Sequence, residues 1–443
     1  MCGIAGFSLF NFNEGGETSL EAMHKAIHHR GPDASGMYID EHIGLCHRRL
    51  SILDLSEAGN QPMYSKEGDL VIVFNGEIYN FLELRAELEN DGVTFKSHTD
   101  TEVILELYAR EGTKCLDKLN GMFAFALWDK NKQELFIARD RLGKKPLYYF
   151  NDNGRFAFGS EIKAILALEN IPREIRLDAV YDFFAYQYVP DPKSIFKHIH
   201  KLPPAHYLIL NKDGFSIHEY WDLSFKNTTS ASEDANKAQL KTLLEKVTKQ
   251  RMISDVPLGA FLSGGVDSSG VVAMMAQASE TPVKTCTIGF DDKAFNEADF
   301  AREIAEKYET EHHEFTVHQN VSDRLEHIVS FFDEPFADPS LVPTFFVSEL
   351  ARKAVTVALA GDGGDEMFAG YEKYSIDDVE YKLRSKFPEA VRKSVFPHLA
   401  KLAGRVPGTV GKKAKSLLTS LSHEPAMGFY ITNSMMTDEM WQS

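Results

Sequence analysis

The chain has 443 residues, with 48 basic and 65 acidic side chains that leave a net charge of −17. Its 43% hydrophobic and 26% charged composition is that of a globular protein and excludes disordered and fibrous classes. The acidic balance opposes binding to a phosphate backbone, and no apolar run reaches the ~20 residues of a membrane span. Four cysteines (Cys2, Cys46, Cys115, Cys286) with no CxxC pair exclude a disulfide framework or a zinc knuckle. The start lacks the basic and apolar regions of a signal peptide, so a cytoplasmic location is expected.

In chain order, Leu70–Val73 reads as a strand running into Asn75-Gly76. Gly121–Trp128, Glu134–Ala138, Leu147–Phe150 and Arg155–Phe158 follow as β-branched or aromatic runs bounded by turn residues. Helical spacing predicts helices over about 82–89 and 102–109. This first half has the grammar of an α+β unit. The polar stretch 225–236 (FKNTTSASEDAN) reads as a linker. The expected organisation is a domain over 2–212, a linker over 213–235 and a second domain over 236–443. Beyond it strands and helices alternate. Ala260–Leu262 leads into SGGVDSS and a helix through Val271, Met275 and Ala278. Strands over 285–289, 313–317 and 355–360 alternate with helices over 298–308 and 341–353. That order predicts right-handed crossovers and a parallel sheet.

Cys2 stands out because removal of Met1 would give its thiol a neighbouring α-amine, which titrates near pH ~8 and serves as a general base. Such a nucleophile suits amide hydrolysis through a thioester. The reaction needs oxyanion donors, and Asn75-Gly76 offers a side-chain amide and a backbone N–H; a plain hairpin turn is the alternative. The run HRRLSI (47–52) supplies a guanidinium for a carboxylate, and Glu77 and Asp100 supply carboxylates for an α-ammonium. As isolated charges these would be ordinary surface residues.

The stretches MCGIAGF (1–7), HRGPD (29–33), RRLSI (48–52), NGEIYN (75–80), HTDTE (98–102), GMFAFALWD (121–129) and RDRLGKKPLYY (139–149) resemble the class II glutamine amidotransferase domain. The resemblance covers nearly all of the first 200 residues. It implies the N-terminal nucleophile hydrolase fold, an αββα sandwich. It also implies Cys2 as nucleophile, Asn75 and Gly76 as oxyanion hole, Arg49 on the glutamine α-carboxylate, and Glu77 with Asp100 on its α-ammonium.

SGGVDSS (263–269), between a strand and a helix, is built as an anion cradle: converging N–H groups, serine hydroxyls and a helix N-terminus. It lacks the Gly-Lys-Ser/Thr ending of a kinase-type loop, so γ-phosphate transfer is not indicated. GDGGDE (361–366) follows another predicted strand, at the sheet edge where ligands of parallel sheets sit. Asp267 and Asp365 are therefore candidates to face one Mg²⁺ carrying a triphosphate, with helix capping the alternative for Asp362 and Asp365. DVPLGAFLSGGVDSS (255–269) and AGDGGDEMFAGY (360–371) resemble the ATP-pyrophosphatase domain of the glutamine-hydrolysing asparagine synthetase family. That resemblance implies AMP contacts from Phe261, Leu262, Ile288, Ala360 and Gly361. It implies pyrophosphate contacts from Ser263, Gly264, Gly265, Asp267 and Ser268, and a role for Asp362 in acyl-adenylate formation.

Glutamine, MgATP and aspartate are thus the expected substrates, asparagine the product and a homodimer the expected assembly, without nucleic acid or membrane. DEPFADPSLVPTF (333–345), where the acceptor would be read, departs from the usual asparagine synthetase pattern. Another carboxylate acceptor, such as one in exopolysaccharide biosynthesis, is the alternative. Nothing after Tyr371 supplies the family's later arginine- and lysine-containing motifs, so a C-terminally incomplete chain is expected. Glutaminases feeding a sugar-phosphate isomerase or phosphoribosyl transferase are opposed by SGGVDSS and GDGGDE. A non-catalytic nucleotide binder would be unaffected by Cys2→Ala. His24, His28, His29, His312 and His313 lack companion ligands at metal-binding spacing.

Overall fold

The computed structural model describes residues 1–10, 16–226, 228–290, 297–317 and 321–436; Asn227 of the expected linker and the closing residues 437–443 lie outside them. Two compact units are formed: residues 1–179, 190–335 and 339–360, and residues 180–189, 336–338 and 361–443.

In the first unit, twelve strands build two antiparallel sheets. They are β1 (Gly3–Ser8), β2 (Ala34–Ile39), β3 (Ile43–Arg49), β4 (Met63–Tyr64), β5 (Leu70–Ile78) and β6 (Gly121–Asp129), then β7 (Glu134–Arg139), β8 (Tyr148–Asp152), β9 (Arg155–Gly159), β10 (Ile199–Lys201), β11 (His206–Asn211) and β12 (Gly214–Glu219). The strand orders are β10-β8-β9-β1-β3-β2 and β12-β11-β7-β6-β5-β4.

Alternation along the strands makes the layers. Val71 and Val73 of β5 join Ile4 and Leu45 of the other sheet in a shared core, while Ile72 and Phe74 face the opposite way. That outer face packs on helices Phe81–Asn90 and Asp100–Glu111 through Leu84, Leu88 and Ile104. On the other sheet, Ala5 and Phe7 face Leu20 and Met23 of helix Glu17–Ala26. Both faces of each central strand are buried, which is why the sequence runs there are continuously apolar rather than alternating. The result is the αββα sandwich of an N-terminal nucleophile hydrolase.

The same unit carries a four-stranded sheet of β13 (Leu258–Phe261), β14 (Lys284–Phe290), β15 (Glu311–Val317) and β16 (Val357–Leu359), all parallel in the order β15-β14-β13-β16. Helices Val266–Ala278, Ala298–Lys307 and Leu341–Ala351 alternate with these strands, giving the α/β parallel-sheet architecture of an ATP-pyrophosphatase domain.

Three details depart from the sequence reading. Asn75-Gly76 is no turn: β5 continues to Ile78, with Asn75 opposite Ala124 and Gly76 opposite Phe123. Strand β12 lies within 213–235, paired to β11 from Asn211–Gly214 to His206–Glu219. Helix Val266–Ala278 starts inside SGGVDSS rather than after it.

The second unit includes helices Glu372–Arg384, Glu389–Ser394, Phe396–Ala403, Thr409–Ser422 and Pro425–Asn433. Buried Arg384 donates to the carbonyls of Ser420 and His423 at 3.1 Å, and buried Arg392 to that of Leu421 at 3.2 Å. Two guanidinium groups thereby satisfy the negative C-terminal end of helix Thr409–Ser422. Among the described residues no helix is long and apolar enough to cross a membrane.

Candidate active site

Cys2 immediately precedes β1, whose two neighbours are β9 and β3. Its Sγ lies 3.4 Å from the Leu50 N–H and 3.6 Å from the Leu50 carbonyl. Arg30 Nε donates to the Cys2 carbonyl at 2.9 Å. Burial pushes the thiol above its ordinary range, against the opposing Leu50 N–H. Gly31 lets this corner close: a Cβ there would stand 2.3 Å from the Arg48 carbonyl carbon.

Asn75 is fully buried within β5, and its Nδ2 has no partner. A buried amide donor left open is costly unless a ligand accepts from it. Gly76 is the one residue type that fits beside it, since a Cβ would meet the Met122 carbonyl at 2.4 Å. Glu77 comes next on the strand. Asp100, at the start of its helix, accepts from the Ile78 N–H at 2.9 Å, which brings its carboxylate beside Glu77. Burial, then Asp100, raises the Glu77 carboxyl well above the usual range. Burial also lifts Asp100 to about 6, against the N–H groups of Ile78 and Thr101. A cation bound beside the pair would favour the ionised form of both.

Arg49 is buried, and its terminal nitrogens are already engaged. NH1 donates to the Ser56 carbonyl and Asn60 Oδ1 at 3.0 and 2.8 Å; NH2 donates to the Leu53 and Asp54 carbonyls at 3.1 and 2.5 Å. In this structure Arg49 braces the loop over 53–60. That loop also touches the parallel-sheet region: Asp255 accepts from the Asp54 N–H at 2.7 Å and donates its own N–H to the Ile52 carbonyl at 3.0 Å.

Arg30, Lys145 and Asp255 went unassigned in the sequence. Arg30 and Lys145 lie in the HRGPD and RDRLGKKPLYY stretches, but their contacts reach residues 28 and 144 positions away.

At the second site, Phe261 ends β13 and Leu262 follows it, Ile288 lies on β14 opposite Phe315, and Ala360 follows β16. These parallel strands share one carboxyl edge. Ser263 and Ser268 hydroxyls lie 3.0 Å apart, and the Gly265 N–H donates to Ser263 Oγ at 3.3 Å. Gly264 has φ +83°, and a Cβ there would stand 2.5 Å from Phe300 Cβ. Ser269 Oγ is buried without a partner. The turn runs into the thirteen-residue helix Val266–Ala278, whose start has no side-chain cap and adds its positive end to the cradle. Asp267 lies in the helix's first turn. Gly361, Asp362 and Asp365 belong to the second compact unit. There, a Cβ on Gly370 would overlap Asp365 Oδ1. Among the described residues no group of three or more His, Cys, Asp or Glu is arranged to hold a metal. A metal delivered on a nucleotide needs fewer protein ligands, and carboxylate oxygens such as Asp267 suit magnesium.

A family model described as a glutamine amidotransferase domain matches residues 1–221, and one described as asparagine synthase matches residues 239–428. Glutamine-hydrolysing asparagine synthetase 1 of Bacillus subtilis is 37% identical over 446 residues, covering 99% of this chain and 68% of that protein. A Methanocaldococcus jannaschii relative bearing a glutamine-hydrolysing asparagine synthetase name is 43% identical over 396 residues, covering 84% of this chain and 76% of its own.

Proposed function

The chain belongs to the glutamine-hydrolysing asparagine synthetase family, and we propose that it transfers the amide nitrogen of glutamine to an ATP-activated carboxylate. The observation that carries the first half is the buried, unpartnered Asn75 amide on the strand that also bears Gly76 and Glu77.

With Met1 removed, the Cys2 amine takes the thiol proton as Sγ attacks the glutamine δ-carbonyl. Asn75 Nδ2 and the Gly76 N–H receive the oxyanion; one such donor is worth about 3–4 kcal/mol. The amine returns its proton to the leaving nitrogen, ammonia departs, and water cleaves the thioester to glutamate. Glu77 and Asp100 hold the α-ammonium. Arg49 contributes to the α-carboxylate subsite through the loop that it braces.

At the second site the aspartate β-carboxylate attacks the α-phosphorus of ATP, forming aspartyl-AMP and releasing pyrophosphate. Ammonia then displaces AMP to give asparagine. Ser263, Gly264, Gly265, Asp267 and Ser268 hold the pyrophosphate portion; Phe261, Leu262, Ile288, Ala360 and Gly361 hold the AMP portion; Asp362 serves adenylate formation. Magnesium arriving with ATP would neutralise phosphate charge, and Asp267 and Asp365 are each carboxylates of the kind that would hold it. Ammonium is no nucleophile, so a dry passage between sites would keep ammonia reactive.

The test is pyrophosphate release from MgATP with ammonium, with and without L-aspartate, beside glutamine hydrolysis. Aspartate-dependent release supports aspartate as acceptor. Release with another carboxylate alone would move the reading to the related amidotransferases. Loss of glutamine hydrolysis in Cys2→Ala and Asn75→Ala is expected.

A further inference from the structure

The chain that joins helix Glu233–Arg251 to β13 runs along the rim of the two-sheet region and is tied to it from end to end. Gln250 Nε2 donates to Glu83 Oε1 at 3.3 Å, and the Arg251 guanidinium stands 4.2 Å from the centre of the Tyr79 ring. Ile253 packs against the apolar core under helices Phe81–Asn90 and Asp100–Glu111, as Ile52 does. Asp255 closes the run, with Oδ2 on the Asp54 N–H at 2.7 Å and its own N–H on the Ile52 carbonyl at 3.0 Å. Tyr79 lies two residues beyond Glu77, and Asp54 belongs to the loop that Arg49 braces. The segment over 250–255 therefore meets both the ammonium side and the carboxylate side of the site assigned to glutamine.

Asp54 is where these bonds converge. It has φ +51°, a left-handed backbone that is uncommon for a residue with a side chain. Its Oδ1 accepts from the Ser56 N–H at 3.1 Å and its Oδ2 from the His98 N–H at 2.8 Å, while its carbonyl accepts from Arg49. His98 stands two residues before Asp100. Such a conformation persists only where its surroundings over-determine it, and one of the bonds that do so comes from 201 positions away. From Asp255 the chain leads directly to the nucleotide cradle. The Pro257 carbonyl accepts from the Thr356 N–H at 2.8 Å, Leu258 pairs with Val357, and β13 ends at Phe261, two residues before Ser263.

Resting on the glutamine-hydrolysing reading above, we propose that Asp255 is a positioning residue of the glutamine site, contributed by the nucleotide-binding half of the chain. By accepting the Asp54 N–H it holds the loop over 53–60, and with it Arg49, in the form that takes glutamine. Asp255 is itself exposed, so it acts through this bond rather than through packing. Without the acceptor the Asp54 N–H is left open beside a buried residue, which favours relaxation of the left-handed turn and of the carbonyls that hold Arg49.

The experiment compares wild type, Asp255→Ala and Asp255→Asn as full chains in glutamine hydrolysis. In parallel, L-glutamine binding is measured by calorimetry on a Cys2→Ala background, which stops turnover. Asp255→Ala should raise KM and Kd about tenfold with kcat kept within about threefold, because the bond shapes the pocket and not the thioester chemistry. Asp255→Asn keeps an acceptor oxygen and removes the charge that Asp255 adds, after burial and Asp100, at Glu77. It should stay within about threefold of wild type in KM and Kd, which separates the bond from the charge. Ammonium-dependent pyrophosphate release should stay within about twofold in both variants, which separates the loop from a disturbed β13. Unmoved KM and Kd in Asp255→Ala would overturn the proposal, as would a loss of kcat alone or an Asp255→Asn that behaves like Asp255→Ala. Parallel loss of ammonium-dependent release would place the role in β13 and overturn it too. Wild-type protein that binds glutamine without hydrolysing it would sink the functional reading and leave Asp255 to be judged on Kd; wild type that binds none would sink both.

Discussion

Lys163 reaches Asp333 twice: its backbone N–H donates to Oδ2 at 2.8 Å, and its ammonium lies 3.3 Å from Oδ1. The same ammonium stands 3.1 Å from Glu161 Oε2, and Arg30 donates to Glu161 Oε1 at 2.8 Å while holding the Cys2 carbonyl. Beside it, Lys201 and the Ile195 N–H take Glu334. The acidic start of the segment over 333–345 is therefore fixed by side chains of the two-sheet region.

Glu161 is the hinge of that chain of charges, and it should govern acid stability. Burial alone would raise its carboxyl, but hydrogen bonds from His29 and Arg30 overcome this and leave it at about 2. Its folded value lies below the ordinary glutamate range, so its contribution is present above about pH 4.5 and fades as pH falls toward 2. Glu161→Gln should cost about 2–3 kcal/mol near neutrality and flatten acid unfolding over that window, read by denaturant melts at several pH values.

Asp100 gives the opposite dependence. A folded value of about 6, raised by burial, means that ionisation disfavours the empty protein as pH climbs through that range. Bound α-ammonium reverses this. Glutamine KM should therefore rise as pH drops below 6, and Asp100→Asn should raise KM about tenfold or more at pH 7.5 while stabilising the empty protein. A KM that stays flat with pH in wild type would contradict the assignment.

Gly59→Ala tests the Arg49 brace. A Cβ at 59 would stand 2.1 Å from Arg49 NH2 and 2.7 Å from the Asp54 carbonyl. Overpacking of that kind costs about 1–3 kcal/mol, and the displaced guanidinium should lower kcat/KM for glutamine. Ammonia-dependent pyrophosphate release should be affected less than glutamine use.

Gly264→Ala separates the two sites. A left-handed backbone and a clash with Phe300 act together there, for a cost of about 1–3 kcal/mol confined to the cradle. ATP-dependent pyrophosphate release should fall at least tenfold, with glutamine hydrolysis kept within twofold. Equal loss of both activities would show that the turn supports the whole unit rather than the nucleotide.

Much of this was readable in the residues. The runs 121–128, 134–138 and 155–158 became β6, β7 and β9 because two-sided burial leaves long apolar stretches ended by turn residues. Asn75-Gly76 misled because the pair is a strong local turn signal, whereas nine residues of pairing with β6 hold it extended. The contacts of Arg30 and Lys145 were hidden for another reason. A charge in a motif looks the same whether it is solvated or buried, and only contacts across 28 or 144 residues decide. The helices over 372–433 went unread, and buried Arg384 and Arg392 there serve helix-end carbonyls rather than solvent, a role that the residue type does not announce.

The place of β1 in its sheet has a consequence for how the protein is made. One edge of β1 is closed by β3, ending at Arg49, and the other by β9, ending at Gly159. During synthesis the first strand therefore waits unpaired on one side until about residue 159 has left the ribosome, many seconds after the start at ordinary elongation rates. An aminopeptidase needs an extended terminus. Once both edges close, Arg30 and Leu50 fasten Cys2 in place. If Met1 is trimmed as the proposed mechanism requires, trimming and closure of the sheet compete in time, and the interval between translation of β1 and β9 is the window for it.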